Sequence, residues 1–329
     1  MKSLSIYMGS NCNLNCEYCH RQKSDNEPIV TQDFLYHIQN TDYTNINFFG
    51  GEPTLYMDQI KKIVDVKPNA TFRITTNGIL LDKYIDYFRE NEFLVCISYD
   101  GQNKGKRGYD PFTKVLNYPW LAVSCLIYHG NTDFKKILNN FSKKESIIGR
   151  SITFYPHIIH YTSELNKHLR LTKDDFDILI PQYKEFIETY VHDYIVDGFI
   201  NRNCSGIFNR ILKRYYANNR YGDTNCANRY FTKCDASGKV FSCLYIRDES
   251  VEESIERITR EYPLCKKCSV YDMCAAGCIK SLDHHLECYF YKTLYSWFKE
   301  FIKPYGDMFK KDHDKYFYIS KRSKKNSSK

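Results

Sequence analysis

Fourteen cysteines in 329 residues constrain this chain more than any other feature, and most of them fall into two groups. Cys12, Cys16 and Cys19 are spaced CX3CX2C near the N-terminus. Cys226, Cys234, Cys243, Cys265, Cys268, Cys274, Cys278 and Cys288 crowd a second region. The opening MKSLSIYMGSNC lacks the apolar stretch of a secretory signal, so a cytoplasmic chain with reduced thiols is expected, and clustered reduced thiols bind metal. Three thiolates in one short loop can hold three corners of a 4Fe–4S cluster and leave its fourth iron open. A zinc knuckle is the alternative, with only His20 nearby as a fourth ligand.

The length suits about two domains. No run approaches the roughly 20 apolar residues of a spanning helix, so no membrane partner is expected. The net charge of +8 is largely local, since the terminal KRSKKNSSK carries no acidic residue. No nucleic-acid partner is expected either. Apolar runs at 4–8, 45–49, 71–75, 94–98, 121–127 and 151–155 read as strands. Helical patterns at 32–39, 56–64, 82–90 and 133–141 lie between them. This predicts an α/β fold, a partial (β/α)6 TIM-type barrel whose ligands sit at the C-terminal strand ends. The barrel is expected over 1–170 and a helical linker over 171–225, its first helical pattern interrupted by Pro181. A cysteine-rich unit should cover 226–290, and a C-terminal helix with a basic disordered tail 291–329.

The second strand ends in FFGGEP, where Gly50 and Gly51 let a ligand approach the backbone and Glu52 offers an acceptor. Together, CX3CX2C and this turn resemble the radical S-adenosylmethionine (SAM) superfamily. The resemblance implies that Cys12, Cys16 and Cys19 hold a 4Fe–4S cluster whose open iron chelates SAM. It gives Gly50, Gly51 and Glu52 to the methionine amino group and places Tyr18 beside the adenine. Ser98 and Asp100 would meet the ribose or carboxylate, and Arg107 the carboxylate. One electron would then cleave SAM to a 5′-deoxyadenosyl radical that abstracts hydrogen from the substrate.

The second cysteine region, CX11GX4C followed by CX2CX5CX3C and a last cysteine, resembles the SPASM domain of peptide-modifying radical SAM enzymes. That resemblance implies two auxiliary 4Fe–4S clusters, making three in all. Cys226, Cys234, Cys243 and Cys278 would hold the first, Cys265, Cys268, Cys274 and Cys288 the second. If Cys234 is not a ligand, the first cluster keeps an open iron. Cys96 and Cys125 read as buried apolar residues, Cys204 as an inert thiol, and His284 and His285 as structural or surface residues. Sulfatase-maturing relatives carry an aspartate base directly after the GX4C cysteine, where this chain has Leu244. The expected activity is therefore a thioether or carbon–carbon crosslink, or an epimerisation, in a ribosomally made peptide. Formylglycine formation on a protein, or action on a small molecule, is the alternative. A small precursor peptide and a reductant such as flavodoxin or ferredoxin are the implied partners. With the first strand starting by residue 4, the peptide is expected to dock on the barrel mouth, on 158–225 or on a separate protein.

Overall fold

Short, largely apolar runs form parallel strands, and amphipathic stretches between them form helices. In chain order the elements are β1 (Lys2–Tyr7), α1 (Gln32–Asn40), β2 (Tyr43–Phe49), α2 (Met57–Val66), β3 (Thr71–Thr76), α3 (Leu81–Glu90), β4 (Leu94–Ser98) and β5 (Leu121–Ile127). They continue with α4 (Phe134–Ile148), β6 (Thr153–Ile158), α5 (Lys173–Val196), α6 (Arg202–Ala217), β7 (Phe231–Asp235), α7 (Val251–Glu261), α8 (Tyr271–Cys274) and α9 (His284–Ile302). The structure is a computed structural model and describes residues 2–19, 27–101, 105–113, 118–148, 151–161, 164–217, 219, 231–241, 251–278 and 281–310.

All seven strands lie in one parallel sheet of order β6-β5-β4-β3-β2-β1-β7. Register sorts the side chains onto two faces. Ile6, Phe48, Ile74, Val95 and Leu121 are successive partners, all buried in the core that includes Phe34, Ile60, Phe88 and Ile137 of the helices. On the other face Ser5, Asn47 and Arg73 are partners, as are Ser98, Ser124 and Tyr155. A parallel sheet covered on both sides is normally apolar throughout, so this polar face has to line a wet interior. Arg73 on β3 stands over the Tyr155 ring on β6 at 5.2 Å. Laid flat, strands three apart would be about 14 Å from each other. One cavity is walled by Phe49 of β2, Thr75 of β3, Ser98 of β4, Ser124 of β5 and His157 of β6, so the sheet curls with its polar face inside, as a partial barrel does.

Three features differ from the sequence expectation. The cysteine-rich region contributes a seventh strand, β7, which pairs with β1 and so joins the barrel's sheet. Helix α5 runs unbroken through Pro181, because its packing against α6 and α9 holds the backbone where local propensity would end it. Helix α9 begins inside the cysteine region and carries Cys288. A Cβ on Gly206 would collide with the Phe154 carbonyl oxygen, so glycine there lets α6 lie directly on β6. One turn later on the same helix stands Arg210. Among the described residues no helix is long and apolar enough to cross a membrane.

The N-terminus of α5 is fixed by a reciprocal cap. Thr172 Oγ1 accepts from the Asp175 amide at 3.2 Å, and Asp175 Oδ2 accepts from the Thr172 amide at 2.8 Å. Burial pushes the Asp175 carboxyl up, but bonds from the Thr172 amide, His129 and the Thr172 hydroxyl outweigh it and lower its pKa. A depressed folded-state pKa contributes stability above the ordinary carboxylate range and loses it as pH falls through the depressed value. Thr172→Ala should cost about 1 kcal/mol at neutral pH, and less in acid, as read by urea unfolding at the two pH values.

Candidate active site

The loop after β1 carries Cys12, Cys16 and Cys19 and is tied down along its length. The Gly51 amide donates to the Gly9 carbonyl at 2.7 Å and the Glu52 amide to that of Asn11 at 2.8 Å. Glu27 accepts from the Ser10 amide at 2.7 Å and from Tyr56 Oη at 2.9 Å, and Tyr56 Oη accepts from the Asn11 amide. Further along, the Glu17 carboxylate is held by Lys106 at 2.8 Å and His168 at 2.5 Å. A methyl group on Gly51 would overlap the Asn11 and Ser10 carbonyl oxygens, so the glycine pair is what lets the two loops touch.

The loops enclose a cavity of about 370 Å³, within the size range of small-molecule sites. Cys12, Cys16, Cys19, Gly50, Gly51 and Arg107 are on its wall. Burial raises the pKa of Cys12 and of Cys16, with Arg107 pulling Cys16 back down. The Leu14 amide donates to Cys12 Sγ at 3.4 Å, the kind of hydrogen bond that tunes a cluster's potential.

Glu52 lies fully buried. Its Oε1 accepts from the Thr54 amide, the Thr54 hydroxyl and the Thr76 hydroxyl, and its Oε2 from the Asn77 amide at 2.7 Å. Burial nevertheless raises its pKa against those bonds. Through these bonds Glu52 anchors the turn to β3, and it lines the cavity together with Gly50 and Gly51.

Ser98 lines the cavity directly. Asp100 acts through others: its Oδ2 accepts from Tyr18 Oη at 2.5 Å, and its Oδ1 from Arg107 at 3.2 Å and the Leu126 amide at 3.0 Å. The Arg107 guanidinium stands 5.4 Å over the Tyr18 ring. Burial alone would lower the pKa of Arg107, but Asp100 and Tyr18 outweigh it and secure the charge. Arg107 Nε is buried without a hydrogen-bond partner. Three thiols beside a cavity with an orphaned guanidinium nitrogen fit a three-thiolate cluster and the carboxylate of SAM.

The opposite wall was not singled out by the sequence motifs. His157, Ile158, Ile159 and His160 come from β6 and its end, Arg210 from α6 and Tyr291 from α9. His160 Nδ1 lies 3.0 Å from Oε1 of Glu287, which is buried. Only the clustering of histidines in YPHIIH hinted at this wall.

In the second region Cys265, Cys268, Cys274 and Cys288 line one small cavity. Burial raises the pKa of Cys274 to about 12, and the other three cysteines add to this. A single zinc ion holding thiolates at 2.3 Å places their sulfurs roughly 3.8 Å apart. Among the described residues no three cysteine sulfurs lie within 4.8 Å of one another.

Cys234 stands elsewhere. It is the register partner of Ile6, on the sheet's apolar face in the main core, and after burial the influence on its thiol is Asp235, with no other cysteine. Its expected partners Cys226 and Cys243 lie outside the described residues, as does Leu244. Cys278 lies near Tyr262. Cys125 is packed in the core, and buried Cys96 shares the inner face with Arg73. Cys204 is buried on α6 with its thiol pushed up to about 12, by burial first and then Asp193 and Glu185.

The profile of the Radical SAM superfamily matches residues 6–107, from β1 to the arginine of the cavity wall. The cysteine-type anaerobic sulfatase-maturating enzyme of Clostridium novyi (strain NT) is 25% identical over 350 residues, covering 86% of this chain and 90% of that protein. A probable GTP 3',8-cyclase of Methanococcus aeolicus is 35% identical over 227 residues, covering 60% of this chain and 74% of that one. The structure of native anSMEcpe with bound AdoMet and Cp18Cys peptide shares the fold, with a TM-score of 0.62 and 19% identity over 90% of this chain and 97% of that one. By sequence, fold and the cysteine loop alike, this chain belongs to the radical SAM superfamily, whose cofactors are SAM and a 4Fe–4S cluster.

Proposed function

We propose that the chain modifies a peptide by radical chemistry, installing a crosslink or an epimerised centre. The observation that carries this reading is the cavity, with the cysteine loop on one wall and the unassigned His157, His160, Arg210 and Tyr291 on the other. When bound, SAM and the reduced cluster supply a 5′-deoxyadenosyl radical, with the electron coming from a reductant such as flavodoxin or ferredoxin. The chain's share is to hold and orient. Cys12, Cys16 and Cys19 hold the cluster, the turn of Gly50, Gly51 and Glu52 receives the methionine ammonium, and Arg107 its carboxylate. Tyr18 and Asp100 fix Arg107, and Ser98 faces the ribose. His160, oriented by Glu287, is a group on the far wall able to accept a proton.

The domain reading keeps a barrel over 1–170, a helical linker over 171–225 and an auxiliary-cluster unit over 226–290, with β7 lent to the barrel. Cys265, Cys268, Cys274 and Cys288 are read as one auxiliary set. Cys226, Cys243 and Cys278 are read as the other, with Cys234 left as a core thiol; three thiolates would leave one iron open.

The coverage of the sulfatase-maturating relative favours a second reading, formylglycine formation on a protein. Against it stands Leu244 in the position of that family's aspartate base. Mass spectrometry after anaerobic incubation with SAM and reductant separates the two. A precursor peptide encoded beside the gene should lose two hydrogens, or keep its mass and gain deuterium from heavy water. Conversion of a sulfatase-derived peptide, with the precursor untouched, would overturn the first reading.

A further inference from the structure

We propose that the β6–α6 wall of the cavity is an anion subsite, in which Arg210, backed by Arg73 and His157, receives a carboxylate or phosphate group of the substrate. This deepens the reading above by naming a chemical feature the substrate carries. Arg210 lines both the main cavity and an adjoining cleft formed with Pro156, Arg214 and Tyr291. Its Nη1 donates to the Pro156 carbonyl at 2.8 Å, and its remaining N–H groups meet no acceptor among the described residues. Arg73 stands on the inner face of the barrel against the Tyr155 ring. Neither arginine has an ion pair among the described residues.

The charges that act on His157 have one sign. Beyond burial, the largest influences on His157 are Arg210, Arg73, His160 and Arg214, all able to carry positive charge, and together they lower its pKa well below the ordinary value. His157 is thus a neutral hydrogen-bonding group set among cations. The carboxylate on this wall, Glu287, meets His160 through Oε1, its Oε2 is buried without a partner, and it forms no ion pair with Arg210 or Arg73. An arginine such as Arg210, held on the wall of a partly desolvated cavity without an ion-pair partner, is costly, and an entering anion offsets that cost. The guanidinium fork matches the two oxygens of a carboxylate or phosphate. The SAM carboxylate does not need this group, because Arg107 stands beside Cys16 with Asp100 and Tyr18.

Isothermal titration of the intact, anaerobically reconstituted protein with inorganic phosphate and with succinate, without SAM, tests the proposal. At least one anion should bind saturably. Arg210→Met should weaken it about tenfold or more, the worth of a charge-assisted hydrogen bond, and Arg210→Lys should weaken it less. Arg73→Met provides a second variant should Arg210→Met fold poorly. Lys62→Met, the same charge change on the exposed side of α2, should bind as the wild type does. Tighter phosphate binding points to a phosphorylated or nucleotide-like substrate, and tighter succinate binding to an acidic peptide. No saturable binding of either anion, or equal affinity in Arg210→Met, overturns the subsite. So does competition by SAM, which would give Arg210 to the SAM carboxylate. Because the titration is free of SAM, a failure of the radical chemistry leaves its outcome readable.

Discussion

Replacing Cys16 by Ala should reduce SAM cleavage to background while leaving the fold in place. Cys16 sits between Cys12 and Cys19 in charge terms and faces Arg107. Two thiolates do not retain a cluster that needs three, so the variant should lose about four irons per chain, by four-iron stoichiometry. The thiols of Cys265, Cys268, Cys274 and Cys288 line a separate cavity and should keep theirs. The loop's anchors at Gly9, Asn11, Glu17 and Glu27 do not involve the Cys16 side chain. Unfolding stability of the apo-protein should therefore change by less than about 1 kcal/mol, as for other substitutions outside the core. Iron and sulfide analysis, with chromatography of 5′-deoxyadenosine, reads both effects. Full SAM cleavage by this variant would give the catalytic cluster to other cysteines.

Gly51→Ala should be nearly as damaging for a different reason. The added methyl meets backbone oxygens of Ser10 and Asn11, not the movable tip of a side chain. Relief requires parting the β1 and β2 loops, breaking the bonds from the Gly51 and Glu52 amides. Overpacking of this kind costs about 1–3 kcal/mol, and the displaced loop is the one that carries the cysteines. The expected result is a lower Tm together with incomplete loading of one cluster. Gly306→Ala, where a Cβ meets nothing within 4 Å, should leave both unchanged. A Gly51→Ala protein that loads iron like the wild type would show that the contact is not needed to shape the cysteine loop.

The sequence made legible what depends on local pattern. Short apolar runs mark β1 to β5 and the start of β6, and fixed spacing marks the cysteine loop and the glycine turn. The far wall of the cavity was less accessible, for physical reasons. A strand is expected to stop before Pro156, yet β6 is an edge strand, where a missing amide costs no ladder bond. It therefore runs on through His157 to Ile158. Five-residue β7 finds its partner, β1, more than two hundred residues earlier, a pairing that no window along the chain can reveal. Arg210 reads from sequence as an ordinary helical cation. Only the seating of α6 on β6, made possible by Gly206, turns it inward. The face that Cys234 takes follows from its register with Ile6, and register is a property of the folded sheet.

The most direct test of the account is SAM cleavage by the wild-type protein after anaerobic reconstitution and reduction with dithionite. The account predicts 5′-deoxyadenosine and methionine in equal amounts, from a brown protein holding more iron than a single four-iron cluster provides. A colourless protein that binds zinc and leaves SAM intact would contradict it.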